Sequence, residues 1–265
     1  MIVQMRVVSA ALNLAVAMVL VAACRTPSEP SVKAAEAAVA GSVTKSAEPV
    51  TPQPAVGALF LGGTDAHTCT ASVVHSTGQN LILTAAHCLT AGVPVTFVPA
   101  FDDKAAPDDV WTVDAVYLDP RWLATQDPKA DYAFARVSRS AGGALESVAG
   151  RALTLGVAPG DSAPVTVVGY PLGVGGTALG CDTTAGMDPD GYPSLHCGGL
   201  VDGTSGGPWM TGSTVVGVIG GRDGGGCEDN ISYSSPFDAA TADLLARAEA
   251  GGPGDDAPAA LGIEC

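Results

Sequence analysis

The sequence predicts an all-β fold closed by one late helix, and three observations carry that expectation. Hydrophobic residues make up 47% of the 265 positions and charged residues only 15%, alongside 34 glycines and 19 prolines. That balance suits many short strands joined by tight turns better than long amphipathic helices. From Ala55 onward, short apolar runs alternate with turn residues, several of them with period two, as strands of a barrel or sandwich do. Helical spacing of apolar residues emerges only near the end, over Pro236–Glu249. The length suits one or two compact domains with a sizeable core. The formal charge of −15 repels phosphate backbones and anionic headgroups, so nucleic acid and anionic lipid headgroups are disfavoured as partners.

Taken in chain order, the N-terminus carries Arg6 and then an apolar run through Ala23, the pattern of a secretory signal. A single spanning anchor is the alternative, because the run approaches the ~20 residues that a membrane helix needs. No basic cluster follows it, which favours the signal. The run ends in Val21-Ala22-Ala23-Cys24, which resembles the lipobox of bacterial lipoproteins, a family in which that Cys is lipidated and becomes the first residue. A later cut after Ala38-Val39-Ala40 is the other reading. Seven cysteines are present, and removing Cys24 into a lipid linkage leaves six, an even number for an oxidised exported domain. Residues 24–54, rich in Pro, Ser, Ala, Glu and Lys, read as a disordered tether.

The folded part runs over 55–250. Strands are expected at Val56–Leu61, Thr70–Val74, Leu81–Thr84, Val93–Val98, Val110–Leu118, Tyr132–Val137, Val165–Val168 and Val215–Ile219. The small, Gly-rich segment Ser140–Gly150 is a natural crossover between two halves. The helix starts at Pro236 and Gly251-Gly252-Pro253 stops it. The tail, 251–265, is expected to be loose over Gly254–Ala259 unless Cys265 ties it down.

Three separated motifs carry chemistry. Leu83-Thr-Ala-Ala-His-Cys88 closes a strand, Ala130-Asp-Tyr-Ala-Phe-Ala135 opens one, and Gly203-Thr-Ser-Gly-Gly-Pro208 forms a glycine-lined loop. Together, and in the order His, Asp, Ser, they resemble the trypsin/chymotrypsin superfamily of serine peptidases over about residues 55–250. The resemblance implies two antiparallel six-stranded β-barrels with a C-terminal helix. It also implies a catalytic set of Ser205 as nucleophile, His87 as base and then acid, and Asp131 as the group that orients the imidazole. A serine hydroxyl attacks only when a neighbouring base takes its proton, and imidazole, with a pKa near ~6.5, both takes and returns it. By the same resemblance the N–H groups of Gly203 and Ser205 form the oxyanion hole. His67, His75 and His196 lack any such context and read as solvated loop residues.

The sequence departs from the trypsin pattern at Thr204. Relatives made as zymogens carry there an acid that pairs with a newly released N-terminal amine. Thr204 is neutral, and Pro52-Gln-Pro54 rather than Arg or Lys precedes the start of the domain. Ordering of the loop by local hydrogen bonds, the Thr204 hydroxyl among them, follows as the expectation. The resemblance maps the primary specificity pocket to Gly199 and Leu200 at its base and to Gly220, Gly221 and Arg222 in its wall. No anion stands there, so a preference for Arg or Lys is not expected. Arg222 has two readings, one as partner of an acidic substrate side chain and one as partner of a surface acid.

Cys69 and Cys88 match the family's disulfide across the histidine loop. For the rest, Cys181–Cys197 with Cys227–Cys265 is preferred, and the family's usual bridge would give Cys197–Cys227 instead. The acidic residues over 222–230 lack the spacing of a calcium loop, and no metal or cofactor is expected. The whole reads as an exported, lipid-anchored, monomeric serine endopeptidase that acts on proteins or peptides at the outer face of a bacterial membrane. The alternative is a catalytically silent relative that binds proteins at the envelope.

Overall fold

The computed structural model describes residues 45–226 and 230–260. The signal-like run, Cys24, Cys227 and Cys265 lie outside them. Among the described residues no helix is long and apolar enough to cross a membrane.

The chain enters along β1 (Glu48–Pro49). It then forms β2 (Val56–Leu61), β3 (Ala66–Val74), β4 (Leu81–Thr84), β5 (Val95–Pro99), β6 (Trp111–Leu118) and β7 (Ala133–Ser138). These six pair in the order β3-β2-β5-β6-β7-β4, and β4 returns antiparallel to β3, closing a six-stranded barrel. A short helix, α1 (Pro120–Thr125), precedes β7, and α2 (Leu145–Ala149) follows it inside the expected crossover. Past the crossover come β8 (Thr154–Leu155), β9 (Pro164–Gly169), β10 (Gly173–Val174), β11 (Leu179–Met187), β12 (Pro193–His196), β13 (Pro208–Thr211), β14 (Thr214–Val218) and β15 (Ile231–Tyr233). The second sheet runs β15-β12-β11-β9-β13-β14-β8, while β10 pairs back to β3 of the barrel. It curls into a half-barrel, and the pair makes the chymotrypsin-like double barrel that the sequence implied.

Alternation along the barrel strands explains their nearly unbroken apolar runs. Leu59, Ala71, Val73, Ile82, Phe97, Ala133 and Ala135 fill the barrel interior with Trp111 and Trp122. Their neighbours Val56, Ala58, Phe60, Leu81, Leu83 and Phe134 face outward and share a buried cluster with Val168, Met210 and Val218 of the second sheet and with Tyr170, which directly follows β9. With both faces buried, these strands show the continuous hydrophobicity of a sandwiched layer. Each fully buried large apolar side chain contributes about 1.5–3 kcal/mol. The second sheet has its own interior around Val167, Leu195 and Trp209.

Three expectations are corrected. Residues 45–50, assigned by sequence to the tether, are part of the domain. Glu48 and Pro49 pair with Gly180 and Leu179 of β11, the Val50 N–H donates to Ala178 O at 2.9 Å, and the Ala47 N–H to Gly198 O at 2.8 Å. Backbone pairing at a sheet edge needs no apolar pattern, so composition missed it. The tail is not loose either. After α3 (Ala239–Ala250), Asp255 accepts from the Leu118 N–H at 2.7 Å and pairs with Arg247 at 2.6 Å, while its own N–H donates to Val116 O. His67 is buried, its Nε2–H donating to Gly175 O at 2.8 Å, with its ring edge-on to Phe60, Phe101 and Tyr170. His75 is largely exposed but pairs with Glu146 at 2.9 Å, and His196 is exposed at the end of β12.

Candidate active site

His87 sits in a single 3₁₀ turn, Ala86–Cys88, that directly follows β4. The turn is held by the Cys88 N–H on Ala85 O and by the Cys69–Cys88 disulfide, which ties it to β3. Asp131 follows a second 3₁₀ turn, Pro128–Ala130, whose start is capped by Asp127 accepting from the Lys129 N–H at 2.9 Å. Such a cap, four residues before Asp131, contributes about 1 kcal/mol and fixes where the turn starts. The two turns bring the side chains together. His87 Nδ1 lies 2.7 Å from Asp131 Oδ2, and the His87 N–H donates to Asp131 Oδ1 at 2.9 Å.

The second half supports the same carboxylate. The Gly221 N–H donates to Asp131 Oδ2 at 2.8 Å, and the Asp131 N–H donates to the Ser235 hydroxyl, which donates on to Pro128 O at 2.7 Å. Asp131 is 1% exposed. Burial opposes ionisation of both partners, but the facing opposite charge and the hydrogen bonds outweigh it. His87 is raised above its ordinary value of 6.5, and Asp131 is held below the usual carboxylate range. Nδ1 is therefore committed to Asp131, leaving Nε2 as the nitrogen available for proton transfer.

Ser205 is half-buried in the loop before β13. Its carbonyl accepts from the Thr70 N–H of β3 at 2.8 Å, and the Gly206 N–H donates to Ile219 O at 2.7 Å, so the loop is stitched to both sheets. Gly206, at φ +80°, lies so close to Thr70 O and the Thr84 hydroxyl that a Cβ there would collide with them. Among the described residues no hydrogen bond of 3.5 Å or less joins the Ser205 hydroxyl to His87. That contact commonly tightens only when substrate is bound.

Thr204 is buried, with its hydroxyl donating to Val201 O at 2.7 Å and its N–H to the same oxygen at 3.1 Å. The Val56 N–H is engaged by Gln53 O at 2.9 Å. At Thr204 itself the loop is thus held by local bonds, with a neutral residue where trypsin relatives made as zymogens have an acid. Thr204→Val keeps the shape and deletes the hydroxyl, and should lower unfolding free energy by about 1 kcal/mol. The urea midpoint reads this, with Thr204→Ser restoring it; an unchanged midpoint in the valine variant would show the hydroxyl to be idle.

The residues mapped to the specificity pocket fall in several places. Gly199 is exposed beside the Ala47 backbone, and Leu200 is half-buried against the second sheet's interior. Gly220 and Gly221 lie against the Asp131 carboxylate. Arg222 pairs with Asp188 at 2.6 Å and Asp190 at 2.9 Å on the β11–β12 hairpin. Cys181 is bonded to Cys197, as preferred from sequence, which rules out the Cys197–Cys227 alternative. The one tight cluster of possible metal donors among the described residues is Cys69, His87 and Cys88, and its two sulfurs are already joined to each other. Sequence reasoning missed Ser235 and Thr70, whose roles depend on contacts more than a hundred residues away and leave no local signal.

No curated protein sequence matches the chain. Among solved structures, the protease Anisep from Arthrobacter nicotinovorans superposes with a TM-score of 0.67 at 25% identity, covering 77% of this chain and 100% of that one. A thermostable serine protease, AL20, from an extremophilic microorganism gives 0.65 at 24% identity, over 76% and 99%. A Glu endopeptidase shares the fold at a TM-score of 0.58 and 16% identity, over 78% and 98%. The trypsin-like peptidase domain family matches residues 69–218, more than half of the sequence, and the chain belongs to that family.

Proposed function

We propose that this chain is an exported serine endopeptidase that works through His87, Asp131 and Ser205 and an acyl-enzyme intermediate. The observation that supports it most is the 2.7 Å contact between His87 and the buried Asp131, within a trypsin-like peptidase domain. In the first step Ser205 Oγ bonds to the substrate carbonyl carbon as its proton passes to His87 Nε2. The carbonyl oxygen gains the negative charge and is held by the N–H groups of Gly203 and Ser205. The carbon–nitrogen bond then breaks as His87 gives its proton to the leaving amine. Water repeats the sequence on the ester, His87 taking its proton, and releases the acid and Ser205. Asp131 stays ionised throughout and stabilises the imidazolium.

The coarse class, a serine peptidase acting on proteins or peptides, follows from the family. Its disulfides fit an extracellular protein. Attachment through a lipid on Cys24 belongs to the proposal and is supported by the apolar run ahead of it and by the even count of the other cysteines. A preference for Arg or Lys is disfavoured because no carboxylate stands at Gly199 or Leu200. An acidic preference through Arg222 is disfavoured because Asp188 and Asp190 already engage it. A fluorophosphonate probe applied to fractionated cells tests both parts. It should label Ser205 in the membrane fraction, and Cys24→Ser should move the labelled band to the soluble fraction or leave it unprocessed. Absence of label on a folded chain would refute the catalytic reading, and an unmodified mature chain starting near Gly41 would refute the lipid.

A further inference from the structure

One fully buried side chain outside the proposed catalytic set has all its polar atoms committed to the nucleophile loop and its supports. Thr70 lies on β3, next to the disulfide-bonded Cys69. Its hydroxyl donates to Gly203 O at 3.1 Å and accepts from the Tyr170 N–H at 2.8 Å. Its N–H donates to Ser205 O at 2.8 Å, and its carbonyl accepts from the Thr84 hydroxyl at 2.7 Å. A hydroxyl is the small group that can donate once and accept at the same time, so only Ser or Thr fits both neighbours.

These bonds decide which way a particular N–H faces. The Gly203 carbonyl, held by Thr70, fixes the peptide between Gly203 and Thr204. The preceding peptide, between Asp202 and Gly203, is fixed by the Leu172 N–H donating to Asp202 O at 2.7 Å. A trans peptide is planar with N–H and C=O opposed, so the Gly203 N–H must face away from Leu172. Leu172 is itself placed by the same threonine, since Tyr170, two residues earlier, is tied to the Thr70 hydroxyl. Gly203 adopts φ +90°, and a Cβ on it would run into the Leu172 backbone, so the clamp closes only over glycine.

We infer that Thr70 is a positioning residue whose hydroxyl, acting on Gly203 directly and on Leu172 through Tyr170, holds the Gly203 N–H in the orientation that stabilises the oxyanion. The inference rests on the proposed catalytic reading. It gives that reading a source of loop order, in the first barrel, that requires no liberated amine.

Thr70→Val keeps the shape and removes both hydroxyl bonds; Thr70→Ser keeps them; Thr70→Cys weakens both and is the reserve if the valine variant does not fold. On a peptide ester, Thr70→Val should lose about 10²-fold in kcat with KM unchanged, the size of a misplaced reactive group. A peptidyl boronate, which places a charged tetrahedral centre in the site, should lose affinity by the same factor, while a cleaved-product peptide should not. Thr70→Ser should recover both, and Thr70→Cys should fall between. Wild-type labelling by the fluorophosphonate together with unchanged kcat and boronate affinity in Thr70→Val would overturn this inference and leave the catalytic reading standing. An unlabelled wild type would overturn both. A loss shared equally by boronate and product peptide, without recovery in Thr70→Ser, would reduce Thr70 to a packing residue and overturn the inference as well.

Discussion

Ser205→Ala and His87→Ala are each expected to lower kcat by a factor on the order of 10⁶, and the double variant to be no slower than either. The non-additivity is the informative part. A hydroxyl without its base is not a nucleophile at neutral pH, and a base without the hydroxyl has no proton to take. Some acceleration over water should persist in all three, because the oxyanion donors and the substrate-binding surface remain. Folding should be retained in the alanine variant of Ser205, whose loop is held by backbone bonds from Thr70 and to Ile219 rather than by its own side chain. Steady-state turnover of a peptide ester, with an acyl-enzyme burst followed in parallel, reads the effect. Wild-type turnover in Ser205→Ala would remove Ser205 from the mechanism.

Asp131→Asn should lower kcat by about 10⁴-fold and also move the pH profile. The carboxylate accepts three N–H groups, from the His87 backbone, the His87 ring and Gly221. An asparagine has one accepting oxygen, so its NH₂ must confront one of those donors or force the ring into the other tautomer. The pH effect has a definite sign. On the proposed mechanism neutral His87 is the working base, while the facing Asp131 favours its protonated form and raises its pKa above 6.5. In the wild type the acid limb of kcat/KM should therefore have its midpoint above 6.5, with activity lost as pH falls through it. Removing the carboxylate's charge leaves burial as the main influence, which disfavours the cation, so the midpoint should move down. An unmoved or raised midpoint in Asp131→Asn would contradict the electrostatic role assigned to Asp131.

How far the sequence disclosed this fold can be seen strand by strand. β2 and β4 have the bounds that apolar runs assign, because both faces of each strand are buried and every residue reports it. β11, with the sequence Leu-Gly-Cys-Asp-Thr-Thr-Ala-Gly-Met, escaped notice despite its nine residues. Its register is imposed by pairing with β9, β12 and β1, and small polar residues carry no period to read. α1 escaped too, although Asp119-Pro120 is a cap followed by a favoured first residue. Of the proposed catalytic set, His87, Asp131 and Ser205 can be picked out in the sequence because each lies in a short motif with its own chemistry. Thr70, Ser235 and the Gly221 amide cannot, because their value comes from where distant backbone arrives. Thr204 falls between. The sequence exposed the missing acid, and the structure supplied the Val201 carbonyl that the hydroxyl bonds instead.

The two ends of the described chain bear on how the enzyme admits substrate. The entering segment lies on β11 of the second sheet before the chain builds the first barrel. The leaving segment does the converse, departing from β15 to lay α3 and Asp255 against β6 and β7 of that barrel, where Arg247 also reaches Leu118 O at 2.7 Å. Each half is thus belted by the other's terminal segment, and a hinge between them could open only by stripping both belts at once. The gap between the histidine and serine loops is then not a coordinate of breathing between lobes.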